Sequence, residues 1–470
     1  MDRNRSLRLA GTLAVGLVLW FIPPPEGVDG RAWHLLAIFV ATIVGIITSP
    51  YPMGAIAIFG LAATSITGTL TIEQSVSGFG ERVIWLIVIA FFISRGFIKT
   101  GLGARIAYRF MASFGHTSLG LAYSLVAADL TLAPAMPSNT ARAAGVIFPI
   151  VGSIARSCGS HPNDGTARAI GAFLMKTAYQ ATVITSAMFV TAMAANPIIV
   201  RLAGDAGVPL TWSGWALAAI VPGLVSLAVM PWLLYTVYPP GITGTPGARQ
   251  LARDHLRDLG PLTGREWTML ATFLLLLCLW IFGAPLGLDG TGTTAAFIGL
   301  ALLLLSGTLT WDDVLQEQGA WNTLVWISTL VMMATYLNEL GLIPWFATTM
   351  GGAVEGVGWV PALLVLSLVY FYSHYFFASN TAHVVAMYAA FLTIAIAAGA
   401  PPGLAVLVLA FFSNLFAGLS HYGTGPAPVF FGAGYVELGA WWKLGALISV
   451  VNIVIWTVVG GLWWRMIGLW

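Results

Sequence analysis

Apolar runs of membrane-spanning length follow one another from Leu9 to Trp470, separated by short breaks in which Gly and Pro recur. A helical span takes about 20 mostly apolar residues, so the chain has room for roughly ten to twelve crossings. The one long polar stretch is Gly244 to Glu266, with Arg249, Arg253, Asp254, Arg257, Asp258 and Arg265. It divides the chain near its middle and predicts an amphipathic connector at the membrane surface. Its arginines outnumber its acids, which favours the cytoplasmic side. Arg3, Arg5 and Arg8 precede the first apolar run, which stops at Pro23, Pro24 and Pro25 with no small-residue cleavage site before them. That pattern predicts a first transmembrane helix with its basic end in the cytoplasm rather than a removable signal.

The pattern also repeats. Ser138-Asn139-Thr140 recurs 241 positions later as Ser379-Asn380-Thr381, and Trp85 and Trp326 keep the same offset, as do Ser94 and Thr335. Thr100-Gly101-Leu102 and Leu340-Gly341-Leu342 follow one residue out of step. Ala141 matches Ala382, and Arg142 falls opposite His383. Two related halves around a connector are the mark of an internal repeat, inverted when each half holds an odd number of helices. The expected organisation is an N-terminal helix in 1–34, a first repeat in 35–243, the connector in 244–266 and a second repeat in 267–470. Each tripeptide lies inside an apolar stretch, the first behind Pro134 and Pro137, where the helical ladder loses donors. Irregular backbone at membrane depth survives only when buried in protein or lining a cavity. Two re-entrant hairpins with tips at 138–140 and 379–381 meet that constraint.

Composition narrows the class. Of the 470 residues 58% are hydrophobic and 8% charged, against roughly 25% charged in a soluble domain, so a water-soluble fold is excluded. The 19 Trp and 13 Tyr suit the two interfacial belts. Two cysteines, Cys158 and Cys278, make neither a disulfide framework nor a metal site. A net charge of +2 with no basic stripe gives no support for nucleic acid. An enzyme lacks its motifs: there is no HExxH, no GxSxG and no carboxylate cluster at metal-ligand spacing. No cofactor is implied. An anion channel remains a rival, but broken helices at the midplane suit alternating access better than a continuous pore.

A carboxylate accepts hydrogen bonds and donates none. Asn amides, Ser and Thr hydroxyls and free N–H groups at a helix start are the donors it needs. Two such loops meeting near the midplane would hold a dicarboxylate at both ends. The competing reading is that Ser, Asn and Thr only cap broken helices. At these residues the chain resembles the divalent anion:sodium symporter family, and within it the branch of citrate/succinate, tartrate/succinate and 2-oxoglutarate/malate exchangers. The resemblance is carried by Pro137-Ser138-Asn139-Thr140-Ala141-Arg142 with Gly145 and Phe148-Pro149, by Tyr238-Pro239-Pro240 with Thr245-Pro246, and by Gly434-Tyr435 with Trp441-Trp442-Lys443-Leu444-Gly445.

The resemblance implies an elevator-type homodimer in which a scaffold part dimerises and a transport part carries the anion. It also implies that each hairpin tip works with an unwound stretch downstream. Thr185-Ser186, with Thr182 as the alternative, is the expected stretch in the first half, and Gly423-Thr424-Gly425-Pro426 in the second. Sodium-coupled members bind sodium beside each loop, partly through hydroxyls four residues upstream. Here those positions are Pro134 and Tyr375. Arg142 and His383 lie instead one helical turn into the new helices, and a fixed charge there would compensate the dianion in place of sodium. The competing reading of Arg142 is a structural arginine paired with Asp129 or a carbonyl. His374 and His421 are expected as core groups. Asp129, Lys176 and Glu339 are functional candidates by their position in apolar stretches, and Arg95, Lys99, Arg105 and Arg109 are taken as a basic cytoplasmic end.

The expectation is therefore an all-α polytopic membrane protein of about eleven transmembrane helices plus two re-entrant hairpins. It would exchange C4–C6 di- or tricarboxylates across a bacterial cytoplasmic membrane, with sodium symport as the alternative.

Overall fold

Proline placement decides where the apolar runs break into helices. The computed structural model describes residues 3–283, 287–288, 292–353 and 358–470. Within them the chain is helical almost throughout, with no strand and one isolated bridge between Thr117 and Gly244. Nine helices among the described residues are long and apolar enough to cross a bilayer, the first Gly30–Thr48 and the last Leu438–Met466. Shorter apolar helices such as Met53–Ile66 and Thr293–Leu305 accompany them. The all-α polytopic architecture is thus the one the sequence leads to.

The first helix, Arg3–Phe21, stops before Pro23 and packs along Gly30–Thr48. Its basic end is anchored: Arg8 donates to the Thr48 carbonyl at 3.3 Å, and the Arg5 guanidinium lies 3.9 Å from the Tyr51 ring centre. The Arg3 side chain lies outside the described residues. The connector forms a helix, Pro246–Asp258, with proline in its first turn where a missing N–H costs nothing. Ala248 and Ala252 are buried on its inner face against Leu102–Phe114, while Arg253, Arg257 and Asp258 are exposed. Arg249 donates to the Ala112 carbonyl at 2.8 Å, and His255 stacks on Tyr108. Arg105 ties the connector's end down, donating to Glu266 at 2.5 Å and to the carbonyls of Leu259, Gly260 and Pro261.

The helices pack in two sets. Gly30–Thr48, Met53–Ile66, Arg82–Thr100, Thr293–Leu305 and Gln318–Glu339 form one; Ser118–Leu132, Gly171–Met188, Ala195–Asp205, Asn380–Ala397 and Pro402–Leu415 form the other. Each set draws on both halves of the sequence. The candidate site lies where the sets face each other.

Candidate functional site

Both Ser-Asn-Thr tripeptides start a helix after a break. In the first half, Ser118–Leu132 runs into a tight turn, Ala133–Ala135, where Pro134 has no N–H to continue the ladder. Ser138 is then extended, and its hydroxyl accepts the Ala141 N–H at 3.1 Å as an N-cap. In the second half, Trp359–Tyr372 runs into the turn Ser373–Phe376, and Ser379 caps in the same way, accepting the Ala382 N–H at 3.4 Å. The N–H groups of Asn139, Thr140, Asn380 and Thr381 lie in first turns and have no intrahelical acceptor.

The two tips share one cavity of about 510 Å³. It is lined by Ser138, Asn139, Thr140, Ser379, Asn380 and Thr381, together with Met193, Ala194, Thr424 and Gly425. The Asn139 amide donates to Thr424 Oγ1 at 3.1 Å, and the Asn380 amide lies 3.1 Å from Met193 Sδ. Each tip therefore reaches into the broken helix of the other half. Gly425 permits the closest approach, because a Cβ there would collide with Thr140 Oγ1. Pro426 sits behind it, at the start of Ala427–Gly432 and outside the lining.

The first-half break differs from the expected one. Thr185 and Ser186 lie within the continuous, fully buried helix Gly171–Met188 and do not line the cavity. The chain unwinds later, with Phe189 and Met193 extended on either side of the turn Val190–Ala192. Met193 and Ala194 stand 231 positions before Thr424 and Gly425 and occupy the matching place on the cavity wall. Pro197, in the first turn of the helix Ala195–Asp205 that follows, is the sequence signal that a helix restarts here. Asn196 holds the break, donating to the carbonyls of Ser186 and Phe189 at 2.8 and 2.9 Å.

Arg142 and His383 lie behind the tips. Arg142 is fully buried and outside the cavity lining. Its guanidinium donates to Asp129 at 3.2 Å, to the carbonyls of Met136 and Ala192 at 2.7 and 3.0 Å, and to Ser186 Oγ at 3.0 Å. Thr182 and Thr185 also donate to Asp129, so the arginine charge is cancelled locally. In the second half a histidine pair takes over. His374 Nε2 donates to the Gly423 carbonyl at 2.9 Å, its Nδ1 meets His383 Nδ1 at 3.0 Å, and His383 Nε2 meets Ser373 Oγ at 3.2 Å. Ala192 and Gly423 each directly precede the residue that lines the cavity. Arg142 directly, and His383 through His374, thus both fasten the carbonyl that sets the shape of a break.

Other candidates fall elsewhere. Lys176 is fully buried, its ammonium 3.3 Å from the Trp441 carbonyl and 4.0 Å from that ring. Glu339 lines a separate cavity with Arg201, and His421 packs edge-on or tilted among Tyr422, Phe431 and Trp442. No group of three His, Cys, Asp or Glu side chains among the described residues is placed to hold a metal ion. The opposite wall carries residues the sequence pattern hid: Phe91, Ser94, Arg95 and Ile98 from one helix, and Glu317, Asn322, Thr323 and Trp326 from another. The spacing 91, 94, 95, 98 is one face of a helix, which separates Arg95 from the basic end it was grouped with. Burial pushes the Glu317 carboxyl up from its usual range, and the Arg95 charge pulls it partly back.

A family profile described as the sodium:sulfate symporter transmembrane region matches residues 3–470. YflS of Bacillus subtilis (strain 168), provisionally named a malate transporter, is 60% identical over 460 residues, covering 98% of this chain and 96% of that one. The chloroplastic dicarboxylate transporter 1 of Spinacia oleracea is 54% identical over 465 residues, covering 98% and 81%. Inner membrane protein YbhI of Escherichia coli (strain K12) is 38% identical over 480 residues, covering 100% and 99%. The crystal structure of the YdaH transporter from Alcanivorax borkumensis shares the fold, with a TM-score of 0.55 at 15% identity over 98% of this chain and 97% of that one. Matched over its whole described length, the chain belongs to the sodium:sulfate symporter family, the divalent anion:sodium symporters that its paired loops resemble, and is a multi-pass membrane transporter rather than an enzyme.

Proposed function

We propose that this protein exchanges C4–C6 di- or tricarboxylates, such as succinate, malate or 2-oxoglutarate, across a bacterial cytoplasmic membrane without sodium. The observation that carries the substrate class is the meeting of both Ser-Asn-Thr tips, each with unspent N–H and hydroxyl donors, on one cavity. A single carboxylate would satisfy one donor set and leave the other unpaired, which costs roughly 1–3 kcal/mol per group. An anion with a carboxylate at each end satisfies both. The names of the relatives, one for malate and one for dicarboxylates, point the same way.

Sodium independence is supported by what surrounds Arg142. The Asp129 carboxylate, the Met136 and Ala192 carbonyls and the Ser186 hydroxyl are the hard oxygens a small cation would need beside the first tip. All of them already accept from the guanidinium. Beside the second tip, the Gly423 carbonyl is taken by His374. Arg142 and His383 accordingly act by filling and shaping the breaks. Arg142, neutralised by Asp129, adds no net charge toward the dianion. Sodium-coupled symport is the second reading, favoured by the description of the family.

The two helix sets correspond, in this reading, to the scaffold and transport parts of an elevator-type homodimer. The basic connector and the anchored Arg5 and Arg8 favour a cytoplasmic N-terminus. The test is uptake of labelled malate into proteoliposomes, empty or preloaded with succinate. Exchange predicts that internal succinate accelerates uptake many-fold. Equal uptake into empty and loaded vesicles would point to a channel and sink the proposal.

A further inference from the structure

The loop wall of the cavity is built from neutral donors, and every full charge lies on the wall opposite. Among the described residues of the lining, Arg95 is the one cation and Glu317 the one anion. The other nearby cations are spent. Lys99 pairs with Asp313 at 2.5 Å, Arg105 with Glu266 at 2.5 Å and Arg142 with Asp129 at 3.2 Å. Arg95 has neither a hydrogen bond nor an ion pair within 4 Å among the described residues. It is half-buried, and its neighbours Ser94 and Ile98 share its face of Arg82–Thr100. Glu317 is folded over the start of Gln318–Glu339, with one carboxylate oxygen 3.2 Å from where a Cβ on Gly319 would sit.

A planar guanidinium with its donors free matches a carboxylate bidentately and holds it more firmly than neutral amides do. We propose that Arg95 is a one-sided anion clamp, taking a carboxylate of the substrate while the loops face the Arg82–Thr100 wall, with Glu317 competing for the same guanidinium. This rests on the exchange reading given above. Arg95 belongs to the helix set that does not carry the loops, so when the sets move apart the loops keep the anion and the clamp stays behind. Arg95 therefore sets affinity and anion selectivity from one membrane face only. Glu317 holds that affinity low enough for release. Ile98 and Met53 line the same cavity, close in sequence to Gly101, where the helix packed on the connector begins, and to Tyr51, over which the N-terminal Arg5 lies. The clamped face is thus the connector face.

The experiment measures the half-saturation concentration of malate for malate/succinate exchange from each face separately, in proteoliposomes whose orientation is fixed by protease cutting in the connector. Arg95→Ala should raise it about tenfold or more from the connector face, the scale of a lost charged hydrogen bond, and less than about twofold from the other face. Arg95→Lys should recover only part of the loss, because an ammonium keeps the charge without the bidentate fork, and Glu317→Gln should lower the half-saturation concentration on the connector face. Equal changes on both faces, no change on either, or no effect of Glu317→Gln on a folded protein would each overturn the clamp. Wild-type protein that fails to exchange at all would defeat the functional reading instead, before any variant is made.

Discussion

Arg142 is spent on structure, and the cost of removing it should show. Its fully buried guanidinium faces the equally buried Asp129. Breaking such a pair on one side strands a charge, typically at about 3–5 kcal/mol. Arg142→Ala should therefore lower the melting temperature in detergent strongly, while Arg142→Met with Asp129→Leu should recover most of it, since removing both partners strands no charge. A melting temperature unchanged by the single substitution would contradict the pairing. The tips behave differently. Asn139→Ala and Asn380→Ala each remove an amide that bridges to the other half's break, and each should cut exchange by about 5- to 100-fold with little loss of folded protein. The tips were legible in the sequence because a tripeptide repeated at a fixed offset is visible without coordinates. Arg95 was hidden for the opposite reason: beside Lys99, Arg105 and Arg109 it blends into a basic run, and only the packing shows that Lys99 and Arg105 are paired while Arg95 lines the cavity with no ion pair among the described residues.

At the scale of helices, the two breaks shape the cavity wall. Gly425 lies against Thr140 with no room for a Cβ, so Gly425→Ala should push the second break away from the first tip. The expected outcome is a loss of exchange of at least tenfold with the protein still monodisperse and folded. Wild-type transport by that variant would show that the two elements need not touch. The second break was readable from Gly423, Gly425 and Pro426. The first was placed at Thr185-Ser186, where hydroxyls on a buried helix face serve Asp129 and Arg142 instead. Helix hydroxyls and loop hydroxyls look alike in a sequence, whereas Pro197 marks the helix that restarts after the true turn. The short helix Trp311–Gln316 carries a pH-dependent brace. Burial would raise the Asp313 carboxyl, but donation from Lys99 and from the Thr310 N–H and hydroxyl outweighs it and holds the group at about 2. A carboxyl depressed in the folded state adds stability above its unfolded pKa and loses it as pH falls through the folded value. Thermal stability should thus decline between about pH 4 and pH 2, and Lys99→Gln should shrink that decline, because the folded and unfolded values then lie closer together.

For the whole molecule, the apolar runs and the repeat were enough to give the class of fold, because a bilayer leaves helices few alternatives. How the halves interleave was not legible. Both helix sets mix elements more than 200 positions apart, for example Gly171–Met188 with Pro402–Leu415, and no local pattern encodes that pairing. The central claim is that two symmetric tips hold a dicarboxylate for exchange while Arg142 and the histidine pair stand where a cation would bind. The most direct measurement is malate uptake into succinate-loaded proteoliposomes with sodium present and with sodium fully replaced by choline. The account predicts the same initial rate in both, and strong dependence on internal succinate in each. Uptake that rises steeply with sodium, and proceeds into vesicles lacking internal dicarboxylate, would contradict it.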